Sequence, residues 1–224
     1  MGPSKYISAH VHNRTTLSCL AEGNPPPRYQ WLQKLPTHDV LVRGYSQYLN
    51  IENVTYDHQG EFVCKAVNVI NGEQRSVQSD SISVEVIGAP QVSYFGAIKE
   101  VMTPPCLYLC LKMTPRCLCL KVIVGYGEDA ILEVRFCADP LPEQLWHLGP
   151  SGDNMILAAG SRHKRFIVET VRKLKEDCYI STLRILETQK SDSFTYELRL
   201  SNAHGADSHA IHLVIRGKSL FSHY

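Results

Sequence analysis

Three short stretches decide the fold: Thr16-Leu17-Ser18-Cys19-Leu20, Tyr29-Gln30-Trp31-Leu32 and Gly60-Glu61-Phe62-Val63-Cys64-Lys65-Ala66. Trp31 follows Cys19 by twelve residues, and Cys64 follows it by forty-five. The stretch around Cys19 alternates apolar with polar side chains, the period of a strand buried on one face. A sandwich of two sheets needs its layers pinned and the space between them filled. A Cys19–Cys64 disulfide packed on Trp31 does both, so Trp31 and Phe62 are core positions and the fold is all-β.

Working outward, turn-rich text separates further short strands. Thr15–Leu20, Arg28–Leu32, Tyr48–Ile51, Glu61–Val67 and Ser81–Ile87 read as strands. Gly23-Asn24-Pro25-Pro26-Pro27 is a loop and Asn71-Gly72 a hairpin turn. With 224 residues the chain holds two sandwiches of about 100 residues each. The reading places the first domain at 1–88, truncated at its N-terminal side, the second at 89–216, and a tail at 217–224. The joint Ile87-Gly88-Ala89-Pro90 is short, which implies an elbow rather than a tether.

The second domain departs from the pattern. Ala130–Cys137, a strand around Trp146, Cys178–Leu186, Phe194–Leu200 and Ser208–Ile215 read as its strands. Asp192-Ser193-Phe194-Thr195-Tyr196-Glu197-Leu198 carries Tyr196 in a corner frame, with Leu198 where a cysteine is expected. Trp146 and Tyr196 are its core aromatics. Cys137 and Cys178 lie on neighbouring strands of one sheet. They form either a cross-strand bridge, if their Cα atoms come within about 6 Å, or two small buried hydrophobes.

Residues 101–121 interrupt this text with Cys106, Cys110, Cys117 and Cys119. Removing them joins Gly96–Glu100 to Val122–Asp129 as an ordinary start of a sandwich domain. A zinc site, a private disulfide loop and an unstructured surface stretch all remain open for the segment, and the spacing favours the last. The reading assigns no metal and no cofactor.

Eight cysteines and a disulfide-type core place the chain in an oxidising, extracellular compartment. The sequons Asn13-Arg14-Thr15 and Asn53-Val54-Thr55 fit that location as glycosylation sites. The text holds neither a secretion signal nor a membrane-spanning run, so a fragment of a longer, membrane-anchored surface protein is expected. A net charge of +1 gives no reason to expect nucleic acid as a partner. Metalloprotease, esterase and phosphate-loop motifs are absent, which argues against an enzyme. His10 and His12 read as an exposed strand edge. Arg162 to Arg165, with Arg172, Lys173 and Lys175, is the one basic cluster and reads as a charge-protected edge strand.

Asn24-Pro25-Pro26-Pro27-Arg28-Tyr29-Gln30-Trp31 and Gly60–Asn68 resemble an intermediate-set domain of the immunoglobulin superfamily, of the kind found in neural cell-adhesion receptors. Phe136-Cys137-Ala138-Asp139-Pro140 and Glu176-Asp177-Cys178-Tyr179 are similar to atypical domains of insect adhesion receptors of the echinoid, Kirre and nephrin group. One position departs from the usual corner: Phe62 stands where a tyrosine hydroxyl would bond back to the backbone, which predicts a looser corner. The resemblance implies two tandem immunoglobulin-like sandwiches in a receptor that recognises another surface protein of the superfamily, homophilically or heterophilically, in cell adhesion or tissue patterning. It also implies a binding face on the first domain at Gln30, Gln33, Lys65 and Asn68. A rigid spacer without a ligand of its own is the alternative.

Overall fold

A computed structural model describes residues 5–35, 38–92, 106–110 and 117–217. The chain divides into two compact units, Met1–Gly88 and Ala89–Tyr224. Both are built from strands, joined by turns and short 3-10 segments, as two tandem immunoglobulin-like sandwiches.

The first unit contains β1 (Lys5–His10), β2 (Thr15–Ser18), β3 (Arg28–Lys34), β4 (Val40–Gly44), β5 (Tyr48–Ile51), β6 (Gly60–Ile70) and β7 (Glu73–Gln78). Its last strand, β8 (Ile82–Val92), carries the chain over the Gly88–Ala89 boundary. One sheet runs β4-β3-β6-β8, with β1 added parallel to β8 and β7 paired to β6. The other sheet is the β2–β5 pair. Trp31 faces Cys64 across the β3–β6 ladder, and the Cys19–Cys64 disulfide joins the two sheets. Leu17, Leu49, Ile51, Phe62, Val84 and Val86 complete this core, all buried. The Trp31 indole N–H donates to the Ser46 carbonyl at 3.1 Å, which satisfies the one polar atom of a side chain otherwise sealed in.

The strand after Asn71-Gly72 begins earlier than the sequence reading placed it. Both turn residues adopt positive φ (51° and 82°), the geometry of a two-residue hairpin. Pairing with β6 therefore resumes at once, Ile70 opposite Glu73. Lys65 then faces Gln78 while Phe62 faces Ile82, so four steps on one side match three on the other. This one-residue bulge shifts the side-chain phase. It lets Ile82, Val84 and Val86 enter the core although Gln78 points the other way. Ser79 closes the gap: its N–H donates to Cys64 O at 2.8 Å, and its hydroxyl oxygen accepts from Cys64 N–H at 3.0 Å.

The second unit contains β9 (Cys106–Cys110), β10 (Cys117–Gly125), β11 (Ala130–Asp139), β12 (Glu143–His147), β13 (Ile156–Ala158), β14 (Arg162–His163), β15 (Phe166–Val168), β16 (Arg172–Lys175), β17 (Cys178–Ile185), β18 (Thr195–Asn202) and β19 (Gly205–Arg216). One sheet is β14-β15-β17-β11 with β16 beside β17; the other is β13-β12-β18-β19-β10-β9. Between them lies a core that includes Leu132, Val134, Phe136, Ala138, Trp146, Phe166, Leu183, Tyr196, Leu198 and Leu213.

Leu198 faces Trp146 across β12–β18, as Cys64 faces Trp31 in the first unit. No disulfide crosses this core at that position. Cys137 lies out of phase with Phe136 and Ala138, both fully buried inward, and so belongs to the opposite face of β11. There it is disulfide-bonded to its register partner Cys178, with Cα atoms 4.0 Å apart.

The Cys-rich segment is the other departure. The backbone at Cys106–Cys110 pairs antiparallel with Cys117–Gly125, Cys110 opposite Cys117, and β10 runs parallel to β19. The expected unstructured stretch is thus corrected at these positions, where alternating Leu and Tyr residues favour an added edge strand. Residues 101–105 and 111–116, and the tail from 218, lie outside the described residues.

Tyr196 ties its corner as the frame requires, its hydroxyl donating to Asp192 O at 3.0 Å. Asp192 itself is sealed from solvent and accepts two bonds from the Arg165 guanidinium, at 2.9 and 3.0 Å. Burial pushes its carboxyl up. The bonds from Arg165, the Gln189 N–H and Ser151, with the charge of Arg165, outweigh that and hold it below the ordinary aspartate value. A depressed folded value stabilises the unit above the unfolded-state pKa of about 3.9, and the contribution is lost as pH falls through the folded value. Asp192→Asn is expected to flatten the acid limb of a urea-stability profile between neutral pH and about pH 3. Arg165→Ala, which strands a buried charge, should cost about 3 kcal/mol at neutral pH.

Candidate recognition face

Side-chain parity on β3 and β6 sorts the four residues proposed for binding. Trp31 and Cys64 point inward, so Gln33, two residues on, and Asn68, four residues on, share their side of the sheet. Gln30 and Lys65 are register partners on the outer side, both half-buried. The structure therefore keeps Gln30 and Lys65 on one surface and removes Gln33 and Asn68 from it.

Gln33 is only 1% exposed and performs structural work. Its amide nitrogen donates to the carbonyls of Asp57 and Gln59 at 3.1 and 2.9 Å. Its amide oxygen accepts from Arg43 Nε at 2.7 Å, and Arg43 Nη2 donates to Asp57 O at 2.7 Å. The corner left without a tyrosine hydroxyl by Phe62 is thereby tied from β3 and β4, which corrects the expectation of a loose corner. Burial, opposed by the Asp57 charge, lowers the Arg43 pKa. Burial first, then the Arg43 charge, holds His58 below the ordinary histidine value.

Asn68 pins the neighbouring loop. Its amide nitrogen donates to Pro25 O at 2.6 Å, while its oxygen accepts from Val69 N–H at 2.8 Å. The second unit repeats the device: Asn202 donates to Pro140 O at 2.9 Å and accepts from His204 N–H at 2.9 Å. In each unit an asparagine at the end of the strand that follows the corner holds the loop after the first core strand.

On the outer side of β4-β3-β6, Val42, Leu32 and Val63 are in register across the three strands, Val40 lies opposite Lys34, and Val69 lies six residues further along β6, past Gln30 and Lys65. Val40 and Val69 are each 55% exposed and Val42 40%. An exposed Lys34–Glu61 pair at 3.1 Å lies among them. Sequence reading missed Val40 and Val42 because it assigned no strand between Leu32 and Tyr48. The clue was there in the apolar run Val40-Leu41-Val42.

The other candidates disperse. His12 Nδ1 lies 3.2 Å from Asn53 Oδ1, and no group of three metal-type side chains occurs among the described residues. In the basic cluster, His163 and Lys164 meet Asp153 at 2.8 and 2.6 Å. Arg165 meets Asp192 at 2.9 Å, Arg172 meets Glu133 at 3.9 Å, and Lys173 meets Glu176 at 3.3 Å. Acidic partners thus occupy most of the charge that an anionic ligand would need. No helix of the described residues is long and apolar enough to cross a membrane.

With this geometry in place, comparison with known proteins is specific for one part of the chain. Residues 2–68 match the immunoglobulin-domain family. Over 205 residues, 90% of its length, the chain is 23% identical to neural cell adhesion molecule L1 of Rattus norvegicus. The Mus musculus protein of the same name matches at 23% over 192 residues. The chain spans 13% and 12% of those two relatives. Among solved structures, Dpr2 Ig1–Ig2 in complex with DIP-Theta Ig1–Ig3 aligns with a TM-score of 0.54 at 20% identity, over 96% of this chain and 62% of that one. A tandem of titin immunoglobulin domains aligns at 0.51 and 17%, over 96% and 95%. At these identities the structural likeness shows the fold.

If Gln33 ties the corner, Gln33→Ala should destabilise the first unit by about 1–3 kcal/mol, since it removes the donor to the Gln59 carbonyl and the acceptor of Arg43 Nε and leaves a gap where a buried side chain stood. Gln30→Ala, on the outer surface, should stay within about 0.5 kcal/mol. Chemical denaturation of the two variants checks the contrast.

Proposed function

We propose that the chain is an extracellular recognition module of a membrane-anchored adhesion receptor, and that the outer β4-β3-β6 surface of its first unit meets another immunoglobulin-type surface protein. The observation that carries this is the exposure of Val40 and Val42 on β4, and of Val69 further along β6, on the same outer face as Gln30 and Lys65. Apolar side chains like these, on a sheet face that could equally have been polar, are costly to leave in water and are what an interface core uses. The flanking Lys34, Glu61 and Lys65 suit the polar rim that sets partner choice. Resemblance to L1 supports an adhesion role, and two disulfides suit an oxidising location.

Bead or cell aggregation by the protein displayed on a surface tests the reading. Val42→Glu and Lys65→Glu should each abolish or strongly reduce aggregation while thermal melting stays near the unmodified value. If the unmodified chain binds neither itself nor any superfamily partner, the spacer function takes its place. If both variants aggregate normally, the surface is wrong although the module reading stands.

A further inference from the structure

Two sequons forty residues apart in the chain meet at one end of the first unit. Asn13 occupies the turn between β1 and β2, and Asn53 lies just beyond β5. Val54 bonds to that turn on both sides: His12 N–H donates to Val54 O at 2.9 Å, and Val54 N–H donates to Asn13 O at 2.9 Å. The two asparagines therefore stand on backbone segments about one strand spacing apart, near 4.8 Å. Both are exposed, while Thr15 and Thr55 of the two sequons are half-buried and ordered in the flanking structure. The contact between His12 Nδ1 and Asn53 Oδ1 at 3.2 Å holds the Asn53 carboxamide by its oxygen and leaves the amide nitrogen to a sugar.

We propose that Asn13 and Asn53 form one composite N-glycan site, in which both are modified and each sugar obstructs the trimming of the other. In the transfer step, the asparagine amide nitrogen forms a bond to C1 of a lipid-linked oligosaccharide. The C1–O bond to the lipid pyrophosphate breaks, and the amide gives up a proton as the lipid pyrophosphate leaves. Transfer needs only the N-x-[ST] text and an accessible chain. Later trimming acts on the folded protein, where two branched sugars rooted one strand apart share the same approach. This rests on the extracellular reading above. The glycans would cover the end of the unit near the 3-10 turn Tyr56–His58, away from the loop that Asn68 pins.

The test is site-resolved glycopeptide mass spectrometry of the 224-residue chain, secreted from mammalian cells behind an added signal peptide. It uses the unmodified sequence, Asn13→Gln, Asn53→Gln, and Thr15→Ala as a second way to empty the first sequon. Both asparagines should be occupied in the unmodified protein, with oligomannose forms prominent. Emptying either sequon should shift the remaining glycan toward complex forms. An unmodified asparagine in secreted protein whose Cys19–Cys64 disulfide has formed overturns the proposal and leaves the extracellular reading intact. So does trimming at one site that is unchanged when the other is emptied. Free Cys19 and Cys64 thiols in that protein would instead count against the extracellular reading, and the proposal would fall with it.

Discussion

Trp31 against Cys64 is the contact on which the first unit depends. It is a register pair between β3 and β6, and the sulfur of Cys64 continues through Cys19 to the opposite sheet. Once these two side chains are buried, period-two alternation decides the fate of every other residue on both strands. Phe62 and Ala66 go inward, Gln30 and Lys65 go outward, and Gln33 and Asn68 are committed to the inner side although they are polar. Gln33 is buried and Asn68 half-buried, and a buried amide is tolerated only when bonded. The inner-side amides accordingly become the clamps that hold the corner and the loop at opposite ends of the unit.

The second unit meets the same requirement without the inter-sheet disulfide. Leu198 takes the place facing Trp146, Phe136 and Ala138 fill the inner side of β11, and the indole N–H donates to Ser181 Oγ at 2.9 Å. Apolar packing joins the sheets here. The Cys137–Cys178 bridge joins neighbours within one sheet, so it closes a covalent loop of the chain without pinning the two layers together. The corner is tied differently as well. Arg165, Asp192 and Tyr196 do in the second unit what Arg43, Gln33 and the Asp57 carbonyl do in the first. In both cases an arginine outside the corner and an acceptor within it are linked.

Much of this architecture was legible in sequence wherever a residue type has one physical reason to be present. Cysteine at Cys19 and Cys64 with Trp31 between them, Tyr196 in its corner frame, and Asn71-Gly72 at a tight turn each point to a single local geometry. The proposed binding face was legible only in part, because the resemblance points to strands and says nothing of the phase of Gln33 and Asn68 on them. Counting two from Trp31 and four from Cys64 places both inside. The bulge at Ser79 could not be counted in this way. It depends on a serine hydroxyl finding the Cys64 N–H across the ladder, a contact with no signature in the local text.

That bulge also shapes what the first unit can present. Without the extra residue, Ile82, Val84 and Val86 would share the phase of Gln78 and emerge on the outer side, and the core would lose three buried aliphatic side chains. With it, the second half of the strand serves the core, while β7 stays exposed along its whole length beside β6. The outer surface is therefore divided. Near β4 it offers Val40 and Val42, and near β7 it offers the polar row Gln74, Ser76 and Gln78 opposite Val69, Val67 and Lys65. A partner seated on β3 and β6 would find an apolar side and a hydrogen-bonding side on one continuous face, an arrangement that fixes orientation as well as contact.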